Sequence, residues 1–504
     1  MRLFRLSAVC AAALLSGLLP SMAPRAWASQ DLFVVDLPSD PASMDPQLQW
    51  DPDSIAVYRN IFDNLLTRDA AGKIVPQVAA AWHYESDTSI VFTIRDDITF
   101  QDGTKLMPED VAFSVQRITD PAFKSPQLSQ FDQITKAEVS GPHEVRLTTK
   151  TAYPVLLGQL TKLSIVPKAA VTRLGDAFNQ QPIGSGPYRF VSRTQGVKVE
   201  LAANPSYWRG APPFAKVELH PVPDESTRIA DVRTGRADIA RILSTDNADQ
   251  LRADPQVNVL WTATERVTML ELNAQDGPTK DVRVREAIAH AIDRDTIVEA
   301  LLKGYAKPVN EPLTPASFGY DPSIPAYGYD PDKARAMLKA AGVAPGTKVS
   351  FLTSPAFDQR IVQALQQMIN DVGLSAQLGS VDLATYLKLR QGRPDEAGDV
   401  SYFRWACGCQ DADGTLFPLF HSSSQWAKYR NTDVDHALET ARNTLDEPTR
   451  IAAYHTALTA IHADTAVVPL FQDVTMFVAA KPVKFQPTAN EAFFLFDMGW
   501  TPKS

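Results

Sequence analysis

The most informative part of this chain is Tyr58–Arg117, which reads YRNIFDNLLTRDAAGKIVPQVAAAW, then a polar gap, then IVFTIRDDITFQDGTKLMPEDVAFSVQR. Apolar residues recur on one helical face, which predicts a helix over Ser54–Leu66. The alternation of Ile90, Phe92 and Ile94 with less apolar neighbours predicts a strand with one buried face. A proline at 108 suits the first turn of a second helix. The stretch therefore predicts an α+β subdomain.

The order of these parts resembles that of the peptide/nickel-type (family 5) extracytoplasmic solute-binding proteins, which deliver solutes to ABC importers. Nearly the whole chain is covered, because further blocks resemble the family at Gly184–Tyr188 (GSGPY), Asn204–Gly210 (NPSYWRG), Asp281–Asp293 (DVRVREAIAHAID) and Tyr329–Gly342 (YDPDKARAMLKAAG). The resemblance implies an α/β, two-lobed periplasmic-binding-protein fold of type II. A hinge would join the lobes, and lobe I would carry the additional α+β subdomain.

The resemblance also implies how the chain is divided. Strands are expected to cross between the lobes near Leu270–Gln275 and near Phe477–Lys481. The expected segments are a signal peptide (1–28), lobe I (29–50, 184–272 and 480–504), the extra subdomain of lobe I (51–183) and lobe II (273–479).

The first residues have the pattern of a signal peptide. A charged start precedes the apolar run Leu6–Leu19, and Ala26-Trp27-Ala28 offers small residues for cleavage before Ser29. The apolar run is shorter than the ~20 residues that a membrane anchor needs. Lipidation at Cys10 is the alternative, but this cysteine lies inside the apolar run. We therefore expect export to the periplasm without a membrane anchor.

Composition limits the partners and the architecture. The chain has 504 residues and a formal net charge of −9, which argues against nucleic acid or anionic membrane as partners. A chain of this length exceeds the ~250–300 residues of a single hydrophobic core. After Asp281, helical and strand patterns alternate, which predicts a largely parallel sheet covered on both faces.

No enzyme signature is found in the sequence. HExxH, GxSxG and Walker patterns are absent. Gly184-Ser185-Gly186-Pro187 lacks the lysine of a phosphate loop, which favours a structural turn. His455 and His462 are seven residues apart on one helical face, and ordinary packing is favoured over a metal pair. We expect no catalytic residues, no metal and no cofactor.

The candidate ligand site is Tyr402–Asp413, YFRWACGCQDAD. In peptide-binding members of the family, a strand ending in Trp leads into a loop whose aspartate binds the free amino group of the ligand. Aligned on Trp405, that aspartate position is occupied by Gly408. Either Asp411 reaches back to replace it, or the ligand has no free amine at this place.

Three more residues complete the predicted site. Trp405 could form a pocket wall, and Arg404 could grip a carboxylate. Because neighbouring residues of a strand point to opposite faces, only one of the two is expected to face the cleft. The alternative places Trp405 in the core and Arg404 in an inter-lobe salt bridge. Asn273, near the expected crossing, suits hinge hydrogen bonding or ligand contact.

Cys407 and Cys409 are the only cysteines after the predicted leader. An oxidising compartment favours disulfides, but a Cys-x-Cys ring is small. Free thiols, a disulfide that shapes the loop, and metal ligation all remain open.

The family resemblance implies the periplasmic solute-binding subunit of an ABC importer, and we expect it to act as a monomer with the transmembrane permease. The expected solute is a peptide or peptide-like compound, with opines, oligosaccharides and metal or haem complexes as alternatives. Two functions of other classes remain open, a thiol- or zinc-dependent periplasmic enzyme and a receptor without a transport role.

Overall fold

The computed structural model describes residues 31–49 and 51–501. The predicted signal peptide, its cleavage site and Cys10 lie outside these residues. Within the described ranges, none of the helices combines the length and apolarity that crossing a bilayer requires.

Strands occur along the whole described chain. They are β1 Leu32–Leu37, β2 Leu66–Arg68, β3 Ile74–Pro76, β4 Ala79–Ser86, β5 Ser89–Ile94, β6 Ile134–Gly141, β7 Glu144–Thr149, β8 Tyr188–Thr194, β9 Lys198–Ala203, β10 Lys216–Pro221, β11 Ile239–Ile242, β12 Val257–Leu272, β13 Lys307–Pro308, β14 Thr347–Thr353, β15 Leu374–Ser380, β16 Val400–Trp405, β17 Val467–Ala480, β18 Val483–Lys484 and β19 Gly499–Trp500.

Helices are concentrated in the second half of the chain. They are α1 Pro52–Tyr58, α2 Pro108–Thr119, α3 Leu128–Phe131, α4 Leu156–Leu160, α5 Lys168–Leu174, α6 Glu225–Thr234, α7 Thr245–Leu251, α8 Val282–Ala291, α9 Arg294–Thr296, α10 Pro331–Ala340, α11 Gln359–Asp371, α12 Leu383–Gln391, α13 Asp413–Phe420, α14 Thr432–Arg442 and α15 Glu447–Ala463.

One large sheet runs through the molecule in the order β15-β14-β16-β12-β17-β11-β1-β10-β9-β8, with β13 added on β17. Its pairs are parallel for β14 with β15 and β16, and for β1 with β10 and β11. The remaining pairs, including β12 with β17, are antiparallel. The sheet is therefore mixed rather than largely parallel, and β12 and β17 form its centre.

The two central strands pass from one hydrophobic core to another. Val257 of β12 and Val478 of β17 are buried in the core that contains β1 and β11. Leu270 and Val468, further along the same strands, are buried in the core that contains β14 and α11. The strands pass between these cores several residues before Leu270–Gln275 and Phe477–Lys481. The division into lobes stays a prediction.

The α+β character predicted for the first stretch is confirmed. Strands β4, β5, β7 and β6 form a four-stranded antiparallel sheet, and α2 packs on it. Their buried side chains form the subdomain core, a cluster that includes Leu65, Phe92, Val111, Leu160 and also Cys409. The last member comes from a segment far along the chain, and it links this subdomain to the candidate site.

The first helix is shorter than the sequence predicts, because α1 ends at Tyr58 rather than Leu66. The carbonyl groups of Asn60 and Ile61 instead accept hydrogen bonds from the amides of Tyr188 and Gly186, at 2.9 and 2.8 Å. Gly186 is required there because a Cβ would lie 2.8 Å from the Ile61 carbonyl oxygen. The predicted turn at 184–187 is thus a structural contact.

Candidate functional site

The register of the two central strands slips where they pass between the cores. Ala263 pairs with Val474 and Val267 pairs with Gln472, so the residues between them bulge out of β12. The Glu265 amide donates to the carbonyl of Ala489 in the C-terminal segment, at 3.1 Å. The bulge therefore brings charged side chains to the meeting point of three segments.

Charged side chains surround the bulge. Arg266 lies 3.5 Å and Arg241 lies 3.6 Å from the carboxylate of Glu491. The Asp473 carboxylate accepts a hydrogen bond from the Thr268 hydroxyl at 2.7 Å. Burial raises the pKa of Asp473, while Arg404 acts in the opposite direction. The sequence prediction did not include these residues, although the pair Glu265-Arg266 interrupts the apolar pattern of β12 and could have marked the place.

Residues 406–412, the disulfide loop, follow β16. Cys407 and Cys409 are joined by a disulfide, which is one of the three states that the sequence left open. Gly408 has φ +69°, in the left-handed region that favours glycine. Gly414 at the start of α13 lies against the sulfurs, because a Cβ there would be 2.1 Å from the Cys407 Sγ.

Two cations of the subdomain hold the disulfide loop. The Lys162 ammonium donates a hydrogen bond to the Cys407 carbonyl at 3.0 Å. The Arg68 guanidinium donates to the Cys409 carbonyl at 2.5 Å and to the Gly72 carbonyl at 2.7 Å. These bonds fasten a loop of the second half of the chain to the subdomain.

Gly408 lies beside an ionisable pair. A Cβ at this position would be 3.7 Å from Glu265 Oε1 and 3.8 Å from Lys162 Nζ. Burial raises the pKa of Glu265 and lowers the pKa of Lys162, and their mutual attraction opposes both shifts. A cationic side chain of the protein itself therefore occupies the surroundings of Gly408.

The acids that follow the disulfide are held by arginines of the last helices. Arg450 donates from Nη2 to both carboxylate oxygens of Asp411, at 2.8 and 2.7 Å, and Tyr454 donates to the same carboxylate at 3.2 Å. Arg442 forms a two-bond contact with Asp413, at 2.8 and 2.9 Å. Burial raises the pKa of Asp411 despite the charge of Arg450. The Asp411 carboxylate is therefore bonded within the protein.

Arg404 and Trp405 end strand β16 with different surroundings. Arg404 is exposed and lies 3.6 Å from the Asp473 carboxylate. The Trp405 ring nitrogen donates to the Gly414 carbonyl at 2.9 Å, and its ring packs edge-on to Trp426 at 5.6 Å. Both residues lie next to the charged bulge, because Arg404 pairs with Thr268 and Trp405 with Val267.

Asn273 lies apart from the other four predicted residues. It follows the end of β12, and its amide group donates to the carbonyls of Pro394 and Gly398 at 2.7 and 3.1 Å. Its backbone amide donates to Asp399, which precedes β16, whereas Arg404 is near the far end of that strand. Five strand residues span about 17 Å. Asn273 therefore stays a predicted hinge or ligand residue without a contact to the loop.

An open cavity of about 310 Å³ lies beside the disulfide loop. It is lined by residues 68–72 of the subdomain, Ala316, Phe318, Gln410 and residues 488–490. In the described part of the chain, no group of three or more His, Cys, Asp or Glu side chains is arranged to hold a metal ion.

Comparisons with known proteins agree with the fold. Residues 73–427 match the model of the bacterial extracellular solute-binding proteins, family 5 Middle. The glutathione-binding protein GsiB of Escherichia coli (strain K12) is 29% identical over 465 residues, which cover 89% of this chain and 90% of that protein.

Solved structures share the architecture over almost the whole chain. The periplasmic binding protein DppA from Helicobacter pylori, solved with the peptide STSA, has a TM-score of 0.80 and 25% identity, and the match covers 93% of this chain and 98% of DppA. The substrate-binding protein CtaP from Listeria monocytogenes has a TM-score of 0.86 and 22% identity, with 94% and 99% covered.

Proposed function

We propose a mode of action on the premise that this chain belongs to family 5 of the bacterial extracellular solute-binding proteins. It is the solute-binding component of an ABC importer and not an enzyme. It has the type II periplasmic-binding-protein fold. The proposals that follow concern its lobes, its solute and its state in the cell.

The first proposal is that two lobes close on the solute around the bulge in β12. Lobe I, with the extra subdomain, and lobe II keep the division predicted from the sequence, with the crossing shifted to Thr264–Arg266 and Asp473. The observation that supports this proposal is the set of hydrogen bonds that Lys162 and Arg68 donate to the disulfide loop. These bonds connect the subdomain with lobe II and can form only when the lobes are together, as closure by selection of one conformer requires.

The second proposal is the solute class, a peptide-like compound without a free amine at Gly408. A buried ammonium must be paired, and the aspartate that would pair it is replaced by glycine. The carboxylate that does lie beside Gly408 is that of Glu265, and Lys162 already attracts it, so a second ammonium would have to compete with Lys162 for this carboxylate. The binding of glutathione by GsiB and of a peptide by DppA supports a peptide-like solute. Opines and metal complexes remain alternatives.

The third proposal assigns roles to the predicted residues. Arg404 is exposed beside the bulge and suits a carboxylate of the solute, and Trp405 stiffens the end of β16. Gly408 keeps the site open toward Lys162. Asp411 acts by holding the loop through Arg450, and Asn273 by shaping the turn after β12.

We further propose that the mature protein begins at Ser29, is a soluble monomer of the periplasm and docks on its permease in the closed form. Family membership supports an extracytoplasmic location. The leader pattern in the sequence supports cleavage.

Native mass spectrometry of freshly purified protein is the test of solute capture. We expect a bound compound of low mass, and its removal followed by calorimetric titration should restore binding at one site. Small-angle scattering should show a smaller radius of gyration in the bound state. A radius that stays unchanged at saturation would contradict closure.

A further inference from the structure

The disulfide loop of lobe II contacts the subdomain through Arg68, Lys162 and Gly158. Position 158 in α4 lies so close to the disulfide loop that only glycine fits, because a Cβ there would lie 2.7 Å from the Cys409 carbonyl oxygen. The Cys409 side chain is 2% exposed and belongs to the subdomain core together with Leu160. The loop is therefore inserted into the subdomain rather than laid on its surface.

The disulfide determines the shape of this inserted segment. It closes a ring through Gly408, and within this ring the amide of Cys409 donates to the Cys407 sulfur at 3.2 Å. The two subdomain cations bind the carbonyls of the bridged residues themselves. Lys162 binds that of Cys407, and Arg68 binds that of Cys409. Opening the ring frees the backbone torsions that orient these two carbonyls. Ordering them again in the closed state then costs conformational entropy, which makes the closed state less favourable.

The two sulfurs differ in their access to solvent. Cys407 is half-buried, whereas Cys409 is buried in the subdomain core. Cys407 also packs against this core but is the more exposed of the two bridged residues, so we expect a thiolate from solvent to attack its sulfur first. Lys162 and Arg68 donate hydrogen bonds to the carbonyls of the two bridged residues.

We propose that the Cys407–Cys409 disulfide is a redox modification site that latches the closed form, and that a small thiol of the extracytoplasmic space opens it. This inference rests on the lobe closure proposed above. The first thiolate attacks the Cys407 Sγ, the bond between the two sulfurs breaks, and Cys409 leaves as a thiolate that takes up a proton. A second thiol attacks the resulting mixed disulfide and releases Cys407. Two thiols are thereby oxidised to one disulfide while the protein disulfide is reduced to two thiols.

The latch makes the affinity for the solute dependent on redox state. In the reduced protein the loop no longer presents both carbonyls, and the hydrogen bonds from Lys162 and Arg68 are weakened. The loss of one charge-assisted hydrogen bond corresponds to a roughly 10- to 100-fold lower affinity. A reducing environment would release the solute or prevent its capture.

The test compares oxidised protein, protein treated with the dithiol dithiothreitol, and a Cys407→Ser/Cys409→Ser variant. Alkylation followed by intact-mass measurement counts the thiols, which is unambiguous because the mature chain has no other cysteine. Hydrogen–deuterium exchange is then followed in residues 156–163 and 406–414, with α11 as a remote reference. We expect exchange in both segments to rise about tenfold or more on reduction. The variant should exchange as fast as the dithiothreitol-treated native protein, and adding dithiothreitol to the variant should not change its exchange rate.

The solute retained on purification is titrated in both redox states. Faster exchange together with weaker binding supports the latch. Exchange that stays unchanged after full reduction overturns it, and so does a disulfide that resists dithiothreitol in the native protein. Faster exchange with undiminished affinity also overturns it but leaves solute capture intact. If no solute binds in either state, the proposed capture fails, and the exchange measurement alone decides whether the loop is latched. Should the variant not fold, the reduction of native protein carries the test.

Discussion

The Lys162 ammonium donates a hydrogen bond to the carbonyl of Cys407 at 3.0 Å, across 245 residues of sequence. The bond joins the subdomain to the loop after β16. Its two ends lie beside Gly408, where the family resemblance predicts an acid that binds the solute. If the lobes close as proposed, contacts of this kind would link the specificity of the site to closure.

Replacing this lysine and the neighbouring glycine together should create affinity for simple dipeptides. We expect the native protein to bind unmodified dipeptides weakly, since one charge-assisted interaction is missing, which amounts to roughly 10- to 100-fold in affinity. The variant Lys162→Met/Gly408→Asp removes the competing cation and supplies the carboxylate, so affinity should rise by a similar factor. Calorimetry measures both. Lys162→Met/Gly408→Asn is the matched control, and tight dipeptide binding by the native protein would refute the prediction.

Asp411→Asn should destabilise the protein. Removing one partner of a buried ion pair costs about 3–5 kcal/mol, and the Arg450 guanidinium would lose a carboxylate that it contacts at 2.7 Å. Urea unfolding measures the loss. Asp97→Asn breaks the exposed pair with Arg95 and should cost less than about 1 kcal/mol. Equal stability of both variants would show that Asp411 is free for another role, such as binding an amine.

Gly158→Ala should weaken solute binding by obstructing closure. The new methyl group would lie 2.7 Å from the Cys409 carbonyl oxygen, and overpacking costs ~1–3 kcal/mol, or roughly 5- to 150-fold in affinity. Gly328→Ala is the control, because nothing lies within 4 Å of a Cβ there. An affinity unaltered by Gly158→Ala would mean that the loop and α4 are not in contact in the bound state.

Stability should depend on pH through Glu311. This side chain is 2% exposed, its Oε2 has no hydrogen-bond partner among the described residues, and burial raises the pKa of Glu311 to about 8. Between its unfolded pKa of ~4.3 and 8, the folded state holds more protons than the unfolded state. This contribution to stability is present at low pH and is lost as the pH rises to 8, by up to about 1.4 kcal/mol per pH unit. Urea unfolding at pH 5.5 and 7.5 gives the free energy of unfolding of the native protein and of Glu311→Gln. The decrease of this free energy with pH should be smaller in the variant.

The exported protein should begin at Ser29. The pattern Ala26-Trp27-Ala28 motivates this prediction, and N-terminal sequencing of protein secreted by its host measures it. Lipid attached to Cys10 or a retained leader would contradict it.

The sequence by itself determined the local elements and the family. Asp330 accepts a hydrogen bond from the Lys333 amide and caps α10, and Asp358 accepts one from the Arg360 amide and caps α11. Such caps and apolar periodicities depend on residues within a few positions of each other. Blocks such as Gly184–Tyr188 carry family membership for the same reason, because they form contiguous motifs.

Only the tertiary structure decided the surroundings of Gly408 and the full length of β17. The apolar run Val467–Phe471 is by itself typical of a short strand, but the strand continues to Ala480 because β12 lies beside it almost throughout. The sequence likewise presents Asp411 as an acid that could reach a ligand. In the structure, its carboxylate is bonded by Arg450 of α15. Whether a charge faces solute or pairs within the protein depends on which distant segment approaches it. That approach is set by the packing of the cores, and periodicity and spacing along the chain do not encode it.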